Sequence, residues 1–403
     1  MNLNELKLLY VCTDFPYPPV SGGLVDMCNR IQALHSLGVT VDLIATVATE
    51  PGDPDREKIA NYVRRLIFSR RERSIRGLLS LKPGQAAIRS ALRRVELVED
   101  YDVILMQTEF VSEILRNKTL KARVKIVRVD NNESAYYLQT AKAESSWLLK
   151  FYYLQEAIRV RNLSSRIFSK MNSLWFVSHD ELELYRKNNP KSSQRSAFVP
   201  TAINLGLLDK PPLEGNQVLF VGNLWAALNR QALEWYINNV HSKLSENPAY
   251  RFVIVGSTRG RDRSWLGSVI SRYPNILAHF DVEDLTPFYK SSTVFVNPMQ
   301  NGAGVKLKTI EAVLRGLPVV STQVGAEGSG LVKDIHYKCA DTPAEFAEKV
   351  MELLNSKKTA HEIVRNAQSY VLDQYDQPKV LGRLLLEAVN QVGLQKPVFE
   401  TKT

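Results

Sequence analysis

A chain of 403 residues, 44% hydrophobic and 23% charged, is long enough for two cores and has the composition of a soluble globular protein. No apolar run reaches the roughly 18–20 residues that span a bilayer, no charged-then-apolar leader opens the chain, and Cys12, Cys28 and Cys339 have neither metal-ligand spacing nor the pattern of a disulfide framework. The net charge of +10 is uneven, 30 Lys and Arg against 22 Asp and Glu in residues 1–200 and 22 against 20 thereafter, which predicts a polyanionic partner for the first half: a membrane surface, nucleic acid or an acidic glycan.

Leu6–Cys12 reads as a first strand, followed by the loop DFPYPPVSGG and an amphipathic helix from about Leu24 to Leu37. Prolines stiffen the loop, and Gly22 and Gly23 stand just before the helix; a rigid turn is one reading of them. Val39–Thr46 reads as a second strand. Between Arg64 and Arg94 ten basic residues alternate with Leu, Ile and Phe, and the only acid is Glu72. Such a segment suits an anionic membrane surface or, more blandly, a solvated helix face. Asp102–Gln107 and Arg123–Val129 read as further strands. The second ends in Asp130, Asn131, Asn132 and Glu133, a polar cluster that lines a site or forms a turn and helix cap. A helical pattern runs from about Ala141 to Met171, where Glu156, Arg159 and Arg161 read as an exposed ion-pairing set. Ser173–Ser178 is a strand followed by a lone histidine, His179, whose expected role is local hydrogen bonding. Residues 205–216 are polar with Pro and Gly, and predict a linker after a first domain of 1–204.

The second domain, 217–374, repeats the α/β rhythm with strands at Gln217–Val221, Arg251–Val255, Ile276–Phe280, Thr293–Val296 and Leu317–Ser321. Its centre is NPMQNGAGVKLKTIEAVLRGLPVVST, residues 297–322. A glycine-bearing loop leaves a strand, a helical pattern starts at Val305, and Gly316 ends it. Glycines let backbone approach an anion, and a helix start offers unpaired N–H groups. Lys306 and Lys308 add positive charge, with Lys308 expected to face elsewhere. Glu311, about two turns in, is placed to accept from sugar hydroxyls. The set suits a nucleoside diphosphate. A Gly-x-Gly turn alone is equally a common structural device.

The whole string resembles the nucleotide-sugar site of GT-B glycosyltransferases of family 4, in the subgroup with Gly-Ala-Gly-x-Lys. The carrying residues are Gly302, Ala303, Gly304, Lys306, Lys308, Glu311, Ala312, Gly316, Pro318, Val319 and Val320. Ala303 stands where many relatives have a first glutamate, and Asp130 where they have a histidine facing the donor sugar. The resemblance implies an α/β GT-B fold of two Rossmann-like domains facing across a cleft, with a last helix near 375–395 returning to the first. It implies retention of configuration and no metal or other cofactor; no Asp-x-Asp is read as a divalent-ion holder. It assigns donor binding to Gly22, Gly23, Gly222, Val282, Gly302, Ala303, Gly304, Val305, Lys306 and Glu311, with amides of 302–305 on phosphate and the Val282 main chain on the base. It assigns the chemistry to Asp130, Asn131, Glu133 and Lys306. Arg230 is a further residue for the diphosphate or acceptor charge.

The expected function is transfer of a sugar from a nucleoside diphosphate to a glycan or lipid-linked acceptor in surface polysaccharide synthesis. The expected place is the cytoplasmic face of a membrane. The departures at Ala303 and Asp130 motivate a rival, a non-catalytic subunit of an assembly complex. A nucleic-acid binder ranks last, because the arginines alternate with aliphatics rather than aromatic stacking platforms.

Overall fold

The computed structural model describes residues 2–72, 82–190, 195–203, 205–206, 215–260, 264–302 and 304–394. The chain divides into two compact units, Met1–Asn204 with Tyr375–Thr403, and Leu205–Gln374. Each is an α/β unit on its own parallel sheet. Most of the expected linker, 207–214, lies outside the described residues.

The first sheet contains β1 (Lys7–Cys12), β2 (Thr40–Val47), β3 (Arg65–Arg70), β4 (Asp100–Met106), β5 (Lys121–Val129), β6 (Ser173–Phe176) and β7 (Arg195–Phe198). Their order is β3-β2-β1-β4-β5-β6-β7. In β1, Leu8, Tyr10 and Cys12 enter one core, while Leu9 and Val11 enter the other. A central parallel strand is covered on both faces, so it reads as a continuous apolar run. The first core also holds α1 (Gly22–Ser36) and the apolar side of the last helix, Gln377–Leu394, through Leu381, Leu384 and Leu385.

The described residues of the basic segment 64–94 do not form one amphipathic surface. Its start is the edge strand β3, in parallel register with β2. Arg64 forms a two-pronged pair with Asp42, at 2.9 and 2.7 Å. Arg71 and Arg89 turn inward to the carbonyl of Thr13, at 2.7 and 2.9 Å. Arg93 pairs with Glu113, and Arg94 with Glu72. Residues 73–81, including Arg73, Arg76 and four of the aliphatics, lie outside the described residues.

The helix expected over 141–171 is two helices, Glu133–Ala143 and Trp147–Phe168. Glu144 has extended backbone at the break, and its carboxylate accepts from the Ser146 amide at 3.0 Å. Glu156 is buried rather than exposed. It holds Arg159 at 2.9 Å and accepts from the Gly84 amide at 2.8 Å.

The second sheet has β8 (Gln217–Asn223), β9 (Arg251–Ser257), β10 (Ile276–Phe280), β11 (Val294–Asn297), β12 (Val319–Ser321) and β13 (Lys338–Cys339). The order is β10-β9-β8-β11-β12-β13. Chain order reverses beside β8 here and beside β1 in the first sheet. Ligands of open parallel sheets bind beyond the carboxyl ends of strands at such reversals.

Candidate active site

In the second unit a cavity of about 750 Å³ opens at that reversal. The ends of β8 and β9 form its floor through Gly222, Asn223, Gly256 and Ser257. Gly222 and Gly256 are register partners. A Cβ on Gly256 would lie 2.5 Å from Leu224 Cγ and 2.7 Å from the Gly222 carbonyl oxygen. Glycine is therefore required for these strand ends to close up.

One wall is the loop after β10. Asp281 and Val282 line it. Asp281 sits at φ 51° and accepts from the Thr258 amide at 2.7 Å and the Ser257 hydroxyl at 3.0 Å. Those bonds, the Thr258 hydroxyl first, pull its carboxyl down to about 2. Asp281 thereby ties the β9 loop to the β10 loop and fixes the main chain at Val282.

The opposite wall is Met299, Val305 and the start of the helix after β11; Gly302 and Gly304, in the loop between, do not line the cavity. Gly302 and Gly304 have φ of 123° and 81°, which only glycine adopts without strain. Ala303 lies outside the described residues. The helix begins at Leu307, not Val305, so Glu311 lies one turn in rather than two. Val305, Lys306, Lys308 and Glu311 line the cavity. Lys306 is buried. Its Nζ donates to the carbonyls of Gly302, at 3.0 Å, and Gly304, and faces Glu327 at 3.6 Å. Burial lowers its pKa, with Glu327 opposing. Lys308 does not face elsewhere. It lines the same cavity, donates to Asn229 Oδ1 at 2.9 Å and sits over the Phe220 ring at 5.1 Å. Burial, with repulsion from Lys306, pushes it down to about 7. Glu311 is half exposed, with Arg315 3.6 Å away. Arg230 does not line the cavity.

The first unit holds a second polar constellation at strand ends. Asp130 is not a free side chain. It accepts from Gln107 Nε2 at 3.0 Å and faces Arg128 Nε at 3.4 Å. Arg128 also meets Asp26 at 2.9 Å, and Asp26 meets Arg30 at 2.7 Å. Burial would raise both carboxyls. Arg128 and Arg30 outweigh it at Asp26, which lies below the ordinary carboxylate value. At Asp130 burial prevails over Arg128, and the pKa is raised.

Asn132 caps the next helix by accepting from the Ala135 amide at 3.0 Å. Asn131, Asn132 and Glu133 line a cavity of about 590 Å³ with Glu109, Ser164 and Glu181. Burial raises Glu133 and pushes Glu109 up to about 7, against the Ser164 hydroxyl donating to it at 2.6 Å. Gly22 and Gly23 open α1, and a Cβ on either would meet nothing within 4 Å. Packing does not explain these two glycines. His179 stands edge-on to Phe198 at 5.5 Å.

The described residues gather no three His, Cys, Asp or Glu side chains suited to a metal ion. The chain's two Asp-x-Asp runs line neither cavity. Asp53 and Asp55 start the helix Asp53–Ala60. Asp100 and Asp102 begin β4 and pair with Lys121 and Arg123.

Sequence reasoning missed Gly256, Asp281 and Glu109. A Gly-Ser after an apolar strand and an Asp after the next one were the available signals for the first two. Nothing local marked Glu109 as buried.

The sequence model of the family described as "Glycosyl transferases group 1" matches residues 215–356, the span that holds the larger cavity. An uncharacterized 44.6 kDa protein in the cps region of Klebsiella pneumoniae is 33% identical over 390 residues, covering 94% of this chain and 99% of that one. The sucrose-phosphate synthase of Thermosynechococcus elongatus has a similar fold, with TM-score 0.65, 15% identity, and coverage of 97% of this chain and 100% of the other. HepE of Anabaena, in complex with UDP and glucose, gives TM-score 0.60 and 13% identity over 96% and 100% of the two chains. TarM of S. aureus, in complex with Fondaparinux, alpha-GlcNAc-glycerol and UDP, gives 0.62 and 10% over 96% and 99%. With two parallel-sheet α/β units, GT-B neighbours and a family match over the cavity-bearing unit, the chain belongs to the group 1 glycosyltransferases.

Proposed function

We propose that the chain transfers a sugar from a uridine-type nucleoside diphosphate to a glycan or lipid-linked acceptor, with retention of configuration and without a metal ion, in capsule polysaccharide assembly. The observation that carries this reading is the convergence of Lys306, Lys308 and Glu311 on one cavity, beside Gly222 and Val282. Two lysines oppose the charge that develops on a departing diphosphate. Glu311 accepts from ribose hydroxyls, and the Val282 main chain meets the base. UDP in the HepE and TarM complexes supports the nucleotide, and the cps-region relative supports the pathway.

A retaining front-face displacement needs no protein nucleophile. The anomeric C–O bond to phosphate breaks, the acceptor oxygen bonds on the same face, and its proton passes to the leaving phosphate. Asp130, Asn131 and Glu133 then act by positioning hydroxyls. With its pKa raised, Asp130 is suited to donate as well as accept. Gly22 and Gly23 offer amides to an anion at an uncrowded helix start.

Lys306 has three donors, and two already meet loop carbonyls. Titration with UDP and with uridine tests its role. Lys306→Ala should weaken UDP at least tenfold more than uridine, because only UDP carries the charge. Equal loss for both would make Lys306 a brace for the loop and remove the proposed phosphate contact.

A further inference from the structure

The helix Trp147–Phe168 has two apolar faces, and only one of them is used by the fold. Ala157, Val160, Leu163 and Ile167 are buried against the first unit. On the outward side stand Trp147, Phe151, Leu154 and Ile158, exposed by 75%, 58%, 39% and 62%. Their spacing of i, i+4, i+7 and i+11 puts all four within about 60° of one line along the helix. Leu148, on the flank of this row, is exposed too, and so are Tyr136 and Leu138 on the adjoining helix Glu133–Ala143. Single exposed apolar residues are ordinary, but a continuous row on one helix marks a contact surface.

The charge on this helix selects the partner. From Trp147 to Lys170 the charged residues are Lys150, Arg159, Arg161, Arg166, Lys170 and a single acid, Glu156. Glu156 is buried and held by Arg159. The exposed charge is therefore wholly positive, and Lys150 and Arg161 lie along one border of the apolar row. A second copy of the chain would bring like charge against like. A layer with an acidic surface and an apolar interior satisfies both features, and a tryptophan at the helix start suits its boundary. No helix among the described residues is long and apolar enough to cross a membrane, and the inner face of this one belongs to the core.

We propose that Trp147, Phe151, Leu154 and Ile158 form the surface by which the protein lies on an anionic lipid leaflet. In the basic stretch 64–94 most arginines of the described residues are already committed. Arg64, Arg71, Arg89, Arg93 and Arg94 are engaged within the fold. The inference stands apart from the donor chemistry, and its test reads separately.

The full chain is floated with vesicles of phosphatidylcholine, with and without phosphatidylglycerol. The parent should float with the anionic vesicles and much less with the neutral ones. Trp147→Gln with Phe151→Gln and Ile158→Gln should lower partitioning about tenfold or more. Lys150→Glu should lower it less, and Arg70→Gln with Arg94→Gln should leave it unchanged. These substitutions lie on the surface; thermal unfolding of each variant reports on its folding, and calorimetric UDP binding on the donor site, whose cavity lies in the other unit. The proposal is overturned if the parent fails to float, or if the triple variant floats equally. It is also overturned if light scattering shows a parent dimer that the triple variant converts to monomer, since the face would then join two copies.

Discussion

Lys308 donates from Nζ to Oδ1 of Asn229 at 2.9 Å, while Asn229 Nδ2 donates to the Asn223 carbonyl at 3.1 Å. The amide side chain thus ties the lysine to the end of β8 and holds it toward the cavity.

A proton should follow nucleotide into this site. Burial and Lys306 push Lys308 down to about 7, so the free protein carries it largely neutral at about pH 8. A bound diphosphate favours the charged form and raises the pKa again. Binding should therefore take up a proton above pH 7, and affinity should fall as the pH rises. Calorimetry of UDP binding in two buffers with different ionisation heats measures this directly. Lys308→Met should abolish the uptake. No uptake by the parent would remove Lys308 from the phosphate site.

Glu311 lines the cavity one turn into its helix, with Arg315 as a loose partner. Glu311→Ala should weaken UDP by about 1–3 kcal/mol through lost ribose hydrogen bonds. The loss should be much smaller for uracil, which has no ribose. Unchanged UDP affinity in a folded Glu311→Ala protein would place the ribose elsewhere.

Periodicity carried the strands well because central parallel strands are apolar on both faces. Leu8–Cys12 and Val294–Val296 are fully buried runs of this kind. It failed at β3, where Arg65–Arg70 is only partly covered at the sheet edge and reads as a charged surface. The glycine loop and Lys306 were legible because their chemistry is compact in sequence. Lys308 was misjudged because its direction is set by Asn229 and Phe220, some eighty residues earlier in the chain. Asp130 was legible as a position but not as a state. Its protonation depends on its burial and then on Arg128, Asp26 and Gln107 around it.

The Asp26–Arg128–Asp130 cluster should be structurally indispensable. Arg128 is fully buried, meets both carboxylates and donates to the Val199 carbonyl at 3.0 Å. Arg128→Met leaves Asp26 with only Arg30 as its cation. Removing one partner of a buried ion cluster costs about 3–5 kcal/mol. Denaturant unfolding of the full chain should show a loss of this size in the unfolding of the first unit. A loss below about 1 kcal/mol would mean that water reaches the cluster.

Glu109 gives the first unit a distinct pH response. In the folded protein burial pushes its carboxyl up to about 7, despite the hydrogen bond from Ser164. In the unfolded chain it titrates near 4.3. Between about pH 4.3 and 7 the folded state therefore holds more proton than the unfolded state, and Glu109 makes stability fall as the pH rises. Below that window its contribution is constant. Glu109→Gln keeps an acceptor for Ser164 and cannot ionise. The variant should lose this part of the decline and gain relative to the parent as the pH rises through the window. Melting temperatures of both proteins across that range are the measurement. Parallel curves would show that Glu109 is already ionised in the fold, with water or a cation reaching it beside Ser164.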